Sequence, residues 1–283
     1  MTPGSVRCLS CRSAQTRLCA HVSGVDVFEC RICGLCFCYP LPTAESHSTG
    51  TMSTLTAESD TASILSLPPQ LVSRFERLAD ARHRFYSGKL GHSAYRMLEI
   101  GCGAAYLSEP LTRRGVTYEG VDIDPRPIEE ARKRGVTGLH CGDFMDFSVA
   151  RPYDVIVMSQ VLEHILDPVV MVDRLADTIA PGGLVHVDVP NHGTLAGLPS
   201  RTLKGWGARY GAVRYPRHLV AYPTSALASL FARRFEVNVF TASPDDDLWG
   251  RGTVPTAGSK ALYVAQRVLR ARSLAVVIGR RTK

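Results

Sequence analysis

The stretch from Arg96 to Leu107 limits what this chain can fold into more than any other part of it. An apolar run from Met97 to Ile100 ends at two glycines, Gly101 and Gly103, and residues that can start a helix follow. This order predicts a buried strand, a tight loop and a helix. Glycine suits the loop because it accepts positive φ and lets a ligand lie against bare main chain. The stretch therefore predicts a nucleotide-type binding loop at the end of a strand.

Three ligands are compatible with such a loop: a dinucleotide, a nucleoside triphosphate and S-adenosylmethionine. A dinucleotide loop uses a third glycine to bring the helix N-terminus onto a pyrophosphate, and Tyr106 stands at that position. The chain contains no G-x-x-x-x-G-K-[ST] motif, which disfavours a triphosphate. S-adenosylmethionine has no phosphate, and its positive charge suits an acid at the strand end such as Glu99. The loop therefore favours S-adenosylmethionine.

Two C-x-x-C pairs near the N-terminus predict a zinc site. Cys8 and Cys11 form the first pair, Cys30 and Cys33 form the second, and 18 residues separate the two pairs. Each pair can place two thiolates on one side of a tight turn, and four thiolates suit the tetrahedral preference of Zn²⁺. A segment of this size buries too little apolar surface to fold alone, so the metal would supply folding free energy. His21 could in principle replace one thiolate.

Composition places the chain among soluble globular proteins. Its 283 residues include nine cysteines, and it shows neither an export signal nor the ~18 consecutive apolar residues that a membrane span needs. We therefore expect a cytoplasmic protein with reduced or metal-bound thiols rather than disulfides. A basic tail holds most of the net charge of +7, through Arg267, Arg270, Arg272, Arg280, Arg281 and Lys283. Such a tail can bind nucleic acid or an acidic partner, but a solvated helix face is the simpler interpretation.

Beyond the loop, predicted strands alternate with predicted helices. Strands are predicted at 118–122, 138–144, 153–158, 184–189, 235–240 and 274–278. Helices are predicted at 70–86, 107–114, 161–180 with an interruption at Asp167-Pro168, and 224–231. Such alternation predicts a doubly wound, mostly parallel sheet with its ligand at the carboxyl ends of the strands. Asp122 ends the strand at 118–122, 19 residues after Gly103, where a carboxylate can accept both hydroxyls of a ribose.

We divide the chain into three regions. Residues 1–42 form a zinc-ribbon-like segment, residues 43–92 a linker and a covering helix, and residues 93–283 the α/β domain. A basic insertion at about 190–222 contains five cations and no acid within the series Arg201, Lys204, Arg209, Arg214 and Arg217. A positive field at the mouth of a cleft predicts a small-molecule acceptor that carries negative charge, as phosphate or carboxylate.

Seven short motifs together resemble class I S-adenosylmethionine-dependent methyltransferases over about residues 93–240. In chain order the motifs are Leu98-Glu99-Ile100-Gly101-Cys102-Gly103, Gly120-Val121-Asp122, Gly142-Asp143-Phe144, Tyr153-Asp154-Val155-Ile156, Val161-Leu162-Glu163-His164-Ile165, Pro181-Gly182-Gly183 and Val189-Pro190-Asn191. The passage from Cys30 to Pro42 is similar to that of the branch with an N-terminal zinc ribbon, many of whose members methylate small molecules or sugars. The resemblance implies a seven-stranded Rossmann-like sheet and methyl transfer.

The resemblance also implies roles for individual residues. Glu99, Gly101 and Gly103 would line the methionine moiety of the cofactor, and Asp122 would accept the ribose hydroxyls. The remaining contacts would come from Ile123 at the adenine face, Asp143 and Phe144 at the adenine edge, and Gln160 near the sulfonium.

A base is needed only if the acceptor must lose a proton, because methyl transfer from a sulfonium is an in-line displacement. His164, His192 and His218 are the candidates, with His218 favoured because it stands beside the basic insertion. Two other functions remain open: an RNA-modifying enzyme or RNA-binding module that uses the zinc ribbon and basic tail, and a catalytically idle scaffold. The sequence leaves the acceptor atom and the oligomeric state undetermined.

Overall fold

The computed structural model describes residues 6–22, 24–43, 69–190, 213, 215, 218–242 and 274–282. The strands are β1 (Thr16–Val22), β2 (Val25–Cys30), β3 (Cys36–Tyr39), β4 (Arg96–Ile100), β5 (Thr117–Asp122), β6 (Leu139–Cys141), β7 (Tyr153–Ser159), β8 (Ile179–Pro190), β9 (Val220–Ala221), β10 (Glu236–Ala242) and β11 (Leu274–Arg280). The helices are α1 (Pro69–Leu90), α2 (Ser108–Thr112), α3 (Pro125–Lys133), α4 (Pro168–Thr178) and α5 (Thr224–Phe231), with a 3₁₀ turn at Leu162–His164.

The larger sheet has seven strands in the order β10-β11-β8-β7-β4-β5-β6. Strands β6, β5, β4, β7 and β8 are parallel, and β11 runs antiparallel to both of its neighbours. Consecutive residues of the central strands lie in different cores, for example Val155 and Val157 in one and Ile156 in the other. Helices therefore cover both faces, which explains why these strands are almost wholly apolar. The predicted doubly wound, mostly parallel sheet is confirmed.

The smaller sheet has the order β1-β2-β3-β9 and contains more than the sequence indicated. Neither β1 nor β9 was predicted from the sequence. Strand β9 comes from the far end of the chain and pairs with β3 through Cys36 opposite Ala221 and Phe37 opposite Val220. The N-terminal segment is thus joined to the rest of the protein by backbone hydrogen bonds.

Two predicted strands differ in their bounds, whereas the predicted interruption of the helix after β7 is present. The third strand of the larger sheet is only Leu139–Cys141, shorter than the predicted 138–144. The helix after β7 is split as expected, since Asp167 and Pro168 start a new helix after the 3₁₀ turn. The strand predicted at 184–189 starts earlier, at Ile179, which pairs with Tyr153. The register then shifts before Leu184 pairs with Val155, and Gly182 within this irregular stretch has a positive φ of 79°.

Within the described ranges, no helix is both long enough and apolar enough to cross a membrane. The 22-residue helix α1 has the length, but it carries many charged side chains.

Asp167 links the N-terminal segment to the α/β domain, and its removal should destabilise the protein. Its carboxylate accepts hydrogen bonds from the backbone N–H groups of Val169 and Val170, and two more of 2.8 Å each from Arg12. We expect Asp167→Ala to lower the free energy of unfolding by about 1 kcal/mol through the lost helix cap. Asp167→Asn keeps a capping oxygen and should lose less, and Arg12→Ala should lose only the half-exposed ion pair. Chemical denaturation measures all three.

The effect of Asp167→Ala should also depend on pH. Burial raises the pKa of Asp167, but the hydrogen bonds from Arg12 and from the two amides outweigh burial, so the pKa lies below its ordinary value of 3.8. A carboxylate with a lowered pKa stabilises the fold above its unfolded-state pKa, and this stabilisation is lost as the pH falls through the folded-state pKa. The difference between wild type and Asp167→Ala should therefore shrink below about pH 4. A difference that grows on acidification would contradict the assignment.

Candidate active site

The two glycines after β4 form a loop that other residues could not form without strain. Gly101 has a φ of 70°, and a Cβ atom there would lie 2.3 Å from Cγ2 of Val161. Gly103 has a φ of 52°, and the space where its Cβ would point contains no atom within 4 Å. The first glycine thus permits close packing, and the second leaves bare main chain facing open space, as a ligand cradle requires.

Asp122 ties this loop to the end of β5. Its carboxylate accepts hydrogen bonds from the backbone N–H groups of Gly103 at 2.7 Å and Asp124 at 2.9 Å. Burial raises the pKa of Asp122 and outweighs these hydrogen bonds, which lower it. Each carboxylate oxygen keeps a further lone pair that can accept from a ligand. The next side chain, Ile123, is 49% exposed, which is unusual for an isoleucine beside a strand end.

Glu99 lies on the neighbouring strand β4 and is almost completely buried. It accepts a 2.5 Å hydrogen bond from the hydroxyl of Tyr118. Burial raises the pKa of Glu99, and the effect exceeds the opposing influence of the Tyr118 hydrogen bond and of the Arg82 charge. The buried Glu99 and the half-buried Asp122 thus lie near the ends of adjacent strands, and a cationic ligand would stabilise the charged form of both.

The loop after β6 reaches the same edge of the sheet. The backbone N–H of Gly142 donates to the carbonyl of Asp122 at 2.9 Å. Asp143 is exposed and accepts from the N–H of Met145, whereas the ring of Phe144 is buried. The carboxyl ends of β4, β5 and β6 therefore meet, and they bring the predicted residues from Glu99 to Phe144 to one side of the sheet.

Gln160 follows β7 and has a φ of 56°, a conformation that residues other than glycine seldom adopt. Asp188 holds it there: the Gln160 N–H donates to the Asp188 carbonyl, and its Nε2 donates to Oδ1, both at 2.9 Å. The following residue, Val161, packs against Gly101. The end of β7 is thus locked next to the glycine loop, and strained backbone of this kind is frequent at functional sites.

Arg82 and Asp188 lie next to this edge of the sheet and were not singled out from the sequence. Arg82 of helix α1 donates to Oγ of Ser159 at 3.3 Å, and its Nη2 lies 3.7 Å from Oδ2 of Asp188. Ser159 in turn donates to Asp188 at 2.6 Å. The sequence did contain a signal for Asp188, because an acid within the apolar run of β8 is unusual. No sequence pattern pointed to Arg82, because only the docking of α1 brings it here.

Tyr106, which occupies the position of a third glycine, has a packing role. Its ring stacks against Phe75 of α1 with 5.0 Å between centroids, and the guanidinium of Arg134 lies 4.5 Å from its centroid. Helix α1 is therefore packed against the segment that follows the glycine loop.

The two favoured candidate bases lie together. The rings of His164 and His218 are 4.9 Å apart and nearly perpendicular, and the buried carboxylate of Glu163 lies beside them. His192 lies outside the described residues, as do Arg201, Lys204, Arg209, Arg214 and Arg217 of the basic insertion. Of the basic tail, Arg280 and Arg281 are described, and Arg280 is exposed at the end of β11. The guanidinium of Arg281 donates to the carbonyls of Ala176 and Ile179, so Arg281 has a structural role.

The four paired cysteines form one cluster. Their sulfur atoms all lie within 4.8 Å of one another, with 3.6 Å between Cys8 and Cys33 and 3.5 Å between Cys11 and Cys30. The hydrogen bond from Cys33 lowers the pKa of Cys8 to about 5. His21 lies away from the cluster, beside Asp26. This donor set fits a tetrahedral zinc ion, which needs four thiolates at ~2.3 Å from the metal.

Sequence comparison identifies a family. Residues 72–237, more than half of the chain, match the model of the methyltransferase domain. The ubiquinone biosynthesis O-methyltransferase of Xylella fastidiosa (strain M23) is 33% identical over 129 residues, which are 42% of this chain and 51% of the relative. The enzyme of the same name from Caulobacter sp. (strain K31) is 34% identical over 148 residues, 50% of this chain and 54% of the relative. The chain thus spans about half the length of these relatives.

Solved structures show the same fold. The plantazolicin methyltransferase BpumL, solved in complex with SAH, matches 84% of this chain and 97% of its own with a TM-score of 0.55 and 16% identity. Its complex with a pentazolic desmethylPZN analog and SAH matches 85% of this chain and 95% of its own with a TM-score of 0.56 and 17% identity. Identities this low support the fold alone. Together with the match over residues 72–237, they show that the chain belongs to the methyltransferase domain family of enzymes.

Proposed function

We propose that this protein is an S-adenosylmethionine-dependent methyltransferase that acts on a small-molecule or sugar-type biosynthetic acceptor. The observation that carries the proposal is the contact between Asp122 and the N–H of Gly103, because it joins a ribose-binding acid to a loop of bare main chain. The name of the similar Xylella fastidiosa enzyme, a biosynthesis O-methyltransferase, supports an oxygen acceptor. An anionic group on the acceptor stays a prediction of the sequence.

In this proposal the cofactor lies along the carboxyl ends of β4 to β7. Glu99, Gly101 and Gly103 contact its methionine moiety, Asp122 accepts its ribose hydroxyls, and the exposed Ile123 covers one face of the adenine. The edge of the adenine meets the Asp143 side chain and the backbone N–H of Phe144, whose ring is buried. The open space at Gly103 and the exposure of Ile123 support this arrangement.

When bound, S-adenosylmethionine supplies a methyl group on a positively charged sulfur. The protein's contribution is to align the acceptor with that group and to exclude water. Gln160, locked by Asp188 beside the glycine loop, faces the sulfonium end. His164 and His218 stand on the acceptor side and promote loss of the acceptor's proton. Glu99 and Asp122 favour a cationic ligand because desolvation raises the pKa of both acids and a nearby positive charge opposes that effect.

We also propose that Cys8, Cys11, Cys30 and Cys33 bind one zinc ion. The spacing of the two pairs and the proximity of the four sulfur atoms support the assignment. The ion would stabilise the N-terminal segment, which is small. Strand β9 completes the sheet of this segment through backbone pairing. The role of the ion is therefore structural, with all four coordination positions filled by the protein.

The cofactor site can be tested by removing the ribose-binding acid. Asp122→Ala should weaken S-adenosylmethionine binding about tenfold to a hundredfold, because two charge-assisted hydrogen bonds of about 1.5 kcal/mol each are lost and water compensates in part. Isothermal calorimetry on wild type and variant gives the affinities. Asp177→Ala, which removes an exposed acid of α4 that contacts Arg234, is the matched control and should bind normally. Absence of binding by wild type would reject the function, and unchanged binding by Asp122→Ala would reject this site.

The affinity for S-adenosylmethionine should fall as the pH is lowered. Burial raises the pKa of both Asp122 and Glu99, so each carboxylate gains a proton at a higher pH than an ordinary acid. The proposed ligand contacts need the ionised forms. Below the raised pKa the affinity should therefore drop by about tenfold per pH unit for each group that must ionise. Calorimetry between about pH 8 and pH 5 measures the slope. Asp122→Asn should show a smaller slope, and a flat profile for wild type would contradict the prediction.

The zinc assignment predicts one zinc ion per chain in protein purified without chelator. The double variant Cys30→Ser with Cys33→Ser should lose it, because two of four ligands are gone. Cys19→Ser, which changes a cysteine of β1 outside the cluster, should keep it. Elemental analysis by mass spectrometry gives the stoichiometry. Full zinc content in the double variant would show that other residues hold the ion.

A further inference from the structure

A second group of metal-ligating side chains lies beside the methyltransferase loop. Glu163, His164 and His218 each offer one ligand atom, and these three atoms lie within 4.8 Å of one another. Oε1 of Glu163 is 4.0 Å from Nε2 of His164, and the two histidine rings are 4.9 Å apart. The carboxylate is only 2% exposed, while both histidines are partly exposed. The carboxylate is therefore the most deeply buried member of the group, and the two imidazoles lie nearer to solvent.

The fold holds this trio from two directions. Glu163 and His164 belong to the 3₁₀ turn after β7, whereas His218 lies just before β9. The N–H of Leu219 donates to the carbonyl of Glu163 at 2.9 Å, and the hydroxyl of Tyr222 donates to the carbonyl of Leu162 at 3.4 Å. Strand β9 is fixed in turn by its pairing with β3. The three ligands thus come from segments that are locked together by backbone contacts.

We propose that Glu163, His164 and His218 bind one divalent first-row transition ion, and that this ion binds the acceptor's reacting hydroxyl. The second half of the proposal rests on the proposed methyl transfer. Two imidazoles and one carboxylate are a nitrogen and oxygen donor set that suits such ions, and three protein ligands leave positions open for water or substrate. The site differs from the four-cysteine cluster, which offers sulfur only and has no open position.

The distances require a small closure. Two neighbouring ligands of an octahedral ion with bonds of ~2.1 Å lie about 3 Å apart. The 4.0 Å between Glu163 and His164 would therefore shorten by about 1 Å as the ion binds. Rotation of the partly exposed histidine side chains can supply this movement without a change in the backbone.

The location explains what the ion would do. Val161, two residues before Glu163, packs on Gly101 of the proposed cofactor loop. A divalent ion lowers the pKa of a bound hydroxyl, so its O–H bond breaks and the proton passes to solvent water. The oxygen then forms a bond to the methyl carbon as the bond from that carbon to sulfur breaks, and the sulfur keeps the electron pair. The histidines promote proton loss by holding the ion, not by accepting the proton themselves.

Manganese is a suitable probe because it has little preference for the thiolates of the cysteine cluster and is detected by electron paramagnetic resonance. The experiment titrates Mn²⁺ into full-length protein that carries one zinc ion per chain and no excess zinc, and measures the free Mn²⁺. We expect one bound Mn²⁺ per chain, with affinity reduced more than about tenfold in His164→Ala and in His218→Ala. Glu163→Gln, which keeps the shape of the buried side chain, should show the same loss. The thermal midpoint of each variant without Mn²⁺ verifies folding.

His140→Ala is the matched control, since His140 also lies beside an acid, with Nε2 3.6 Å from Oε2 of Glu119. It should bind Mn²⁺ as wild type does. No bound Mn²⁺ in wild type, or equal binding in all variants, would overturn the metal site. Calorimetry with S-adenosylmethionine separates the two proposals: cofactor binding without Mn²⁺ binding rejects only the metal, and Mn²⁺ binding without cofactor binding rejects the proposed function. An activity that is unchanged by strict metal removal would overturn the ion's role in proton loss.

Discussion

The hydrogen bond from the Gly103 N–H to the Asp122 carboxylate is the contact on which the proposed cofactor site depends. It connects the ends of two neighbouring parallel strands, β4 and β5, and so sets the path of the glycine loop. The loop can follow this path because Gly101 accepts positive φ and leaves room for Val161. The same contact lowers the pKa of the Asp122 carboxylate, but burial raises that pKa by more. A ligand that donates hydrogen bonds to the carboxylate would stabilise its charged form further, which is a physical reason for the site to favour such a ligand.

The N-terminal segment is structurally continuous with the acceptor side of the methyltransferase domain. Strand β9 completes the small sheet, and His218 lies directly before it. Arg12 contacts the cap of helix α4, and Ser225 at the start of α5 donates to the carbonyl of Cys33. A zinc ion in the four-cysteine cluster would therefore stabilise the placement of His218 as well as the segment itself. The N-terminal segment is thus linked by backbone pairing to the part of the chain that carries His218.

Burial of charge recurs along the carboxyl edge of the sheet. Arg82 and Asp188 lie within 4 Å of each other with Ser159 between them, and Glu99 is close enough for the Arg82 charge to affect its pKa. A buried ion pair contributes little net stability, since desolvation offsets the attraction between the charges. Such a group does fix orientation, and here it holds Gln160 in a conformation with positive φ. The buried charges at this edge of the sheet therefore fix the positions of side chains more than they stabilise the fold.

The amino-acid sequence determined the elements whose signals are local. Glycine spacing, the Asp122 strand end, the helix start at Asp167-Pro168 and the paired cysteines predicted the strand–loop–helix opening, the parallel sheet and the sulfur cluster. Only the tertiary structure revealed β9, the position of Arg82 and the meeting of Glu163 and His164 with His218, which lies 54 residues further along the chain. The physical reason is that these contacts join distant segments through backbone pairing and helix docking, and neither leaves a periodic pattern in the residues involved. The predicted domain boundaries and cofactor contacts stay predictions, because local geometry alone determines neither where a domain ends nor which ligand binds.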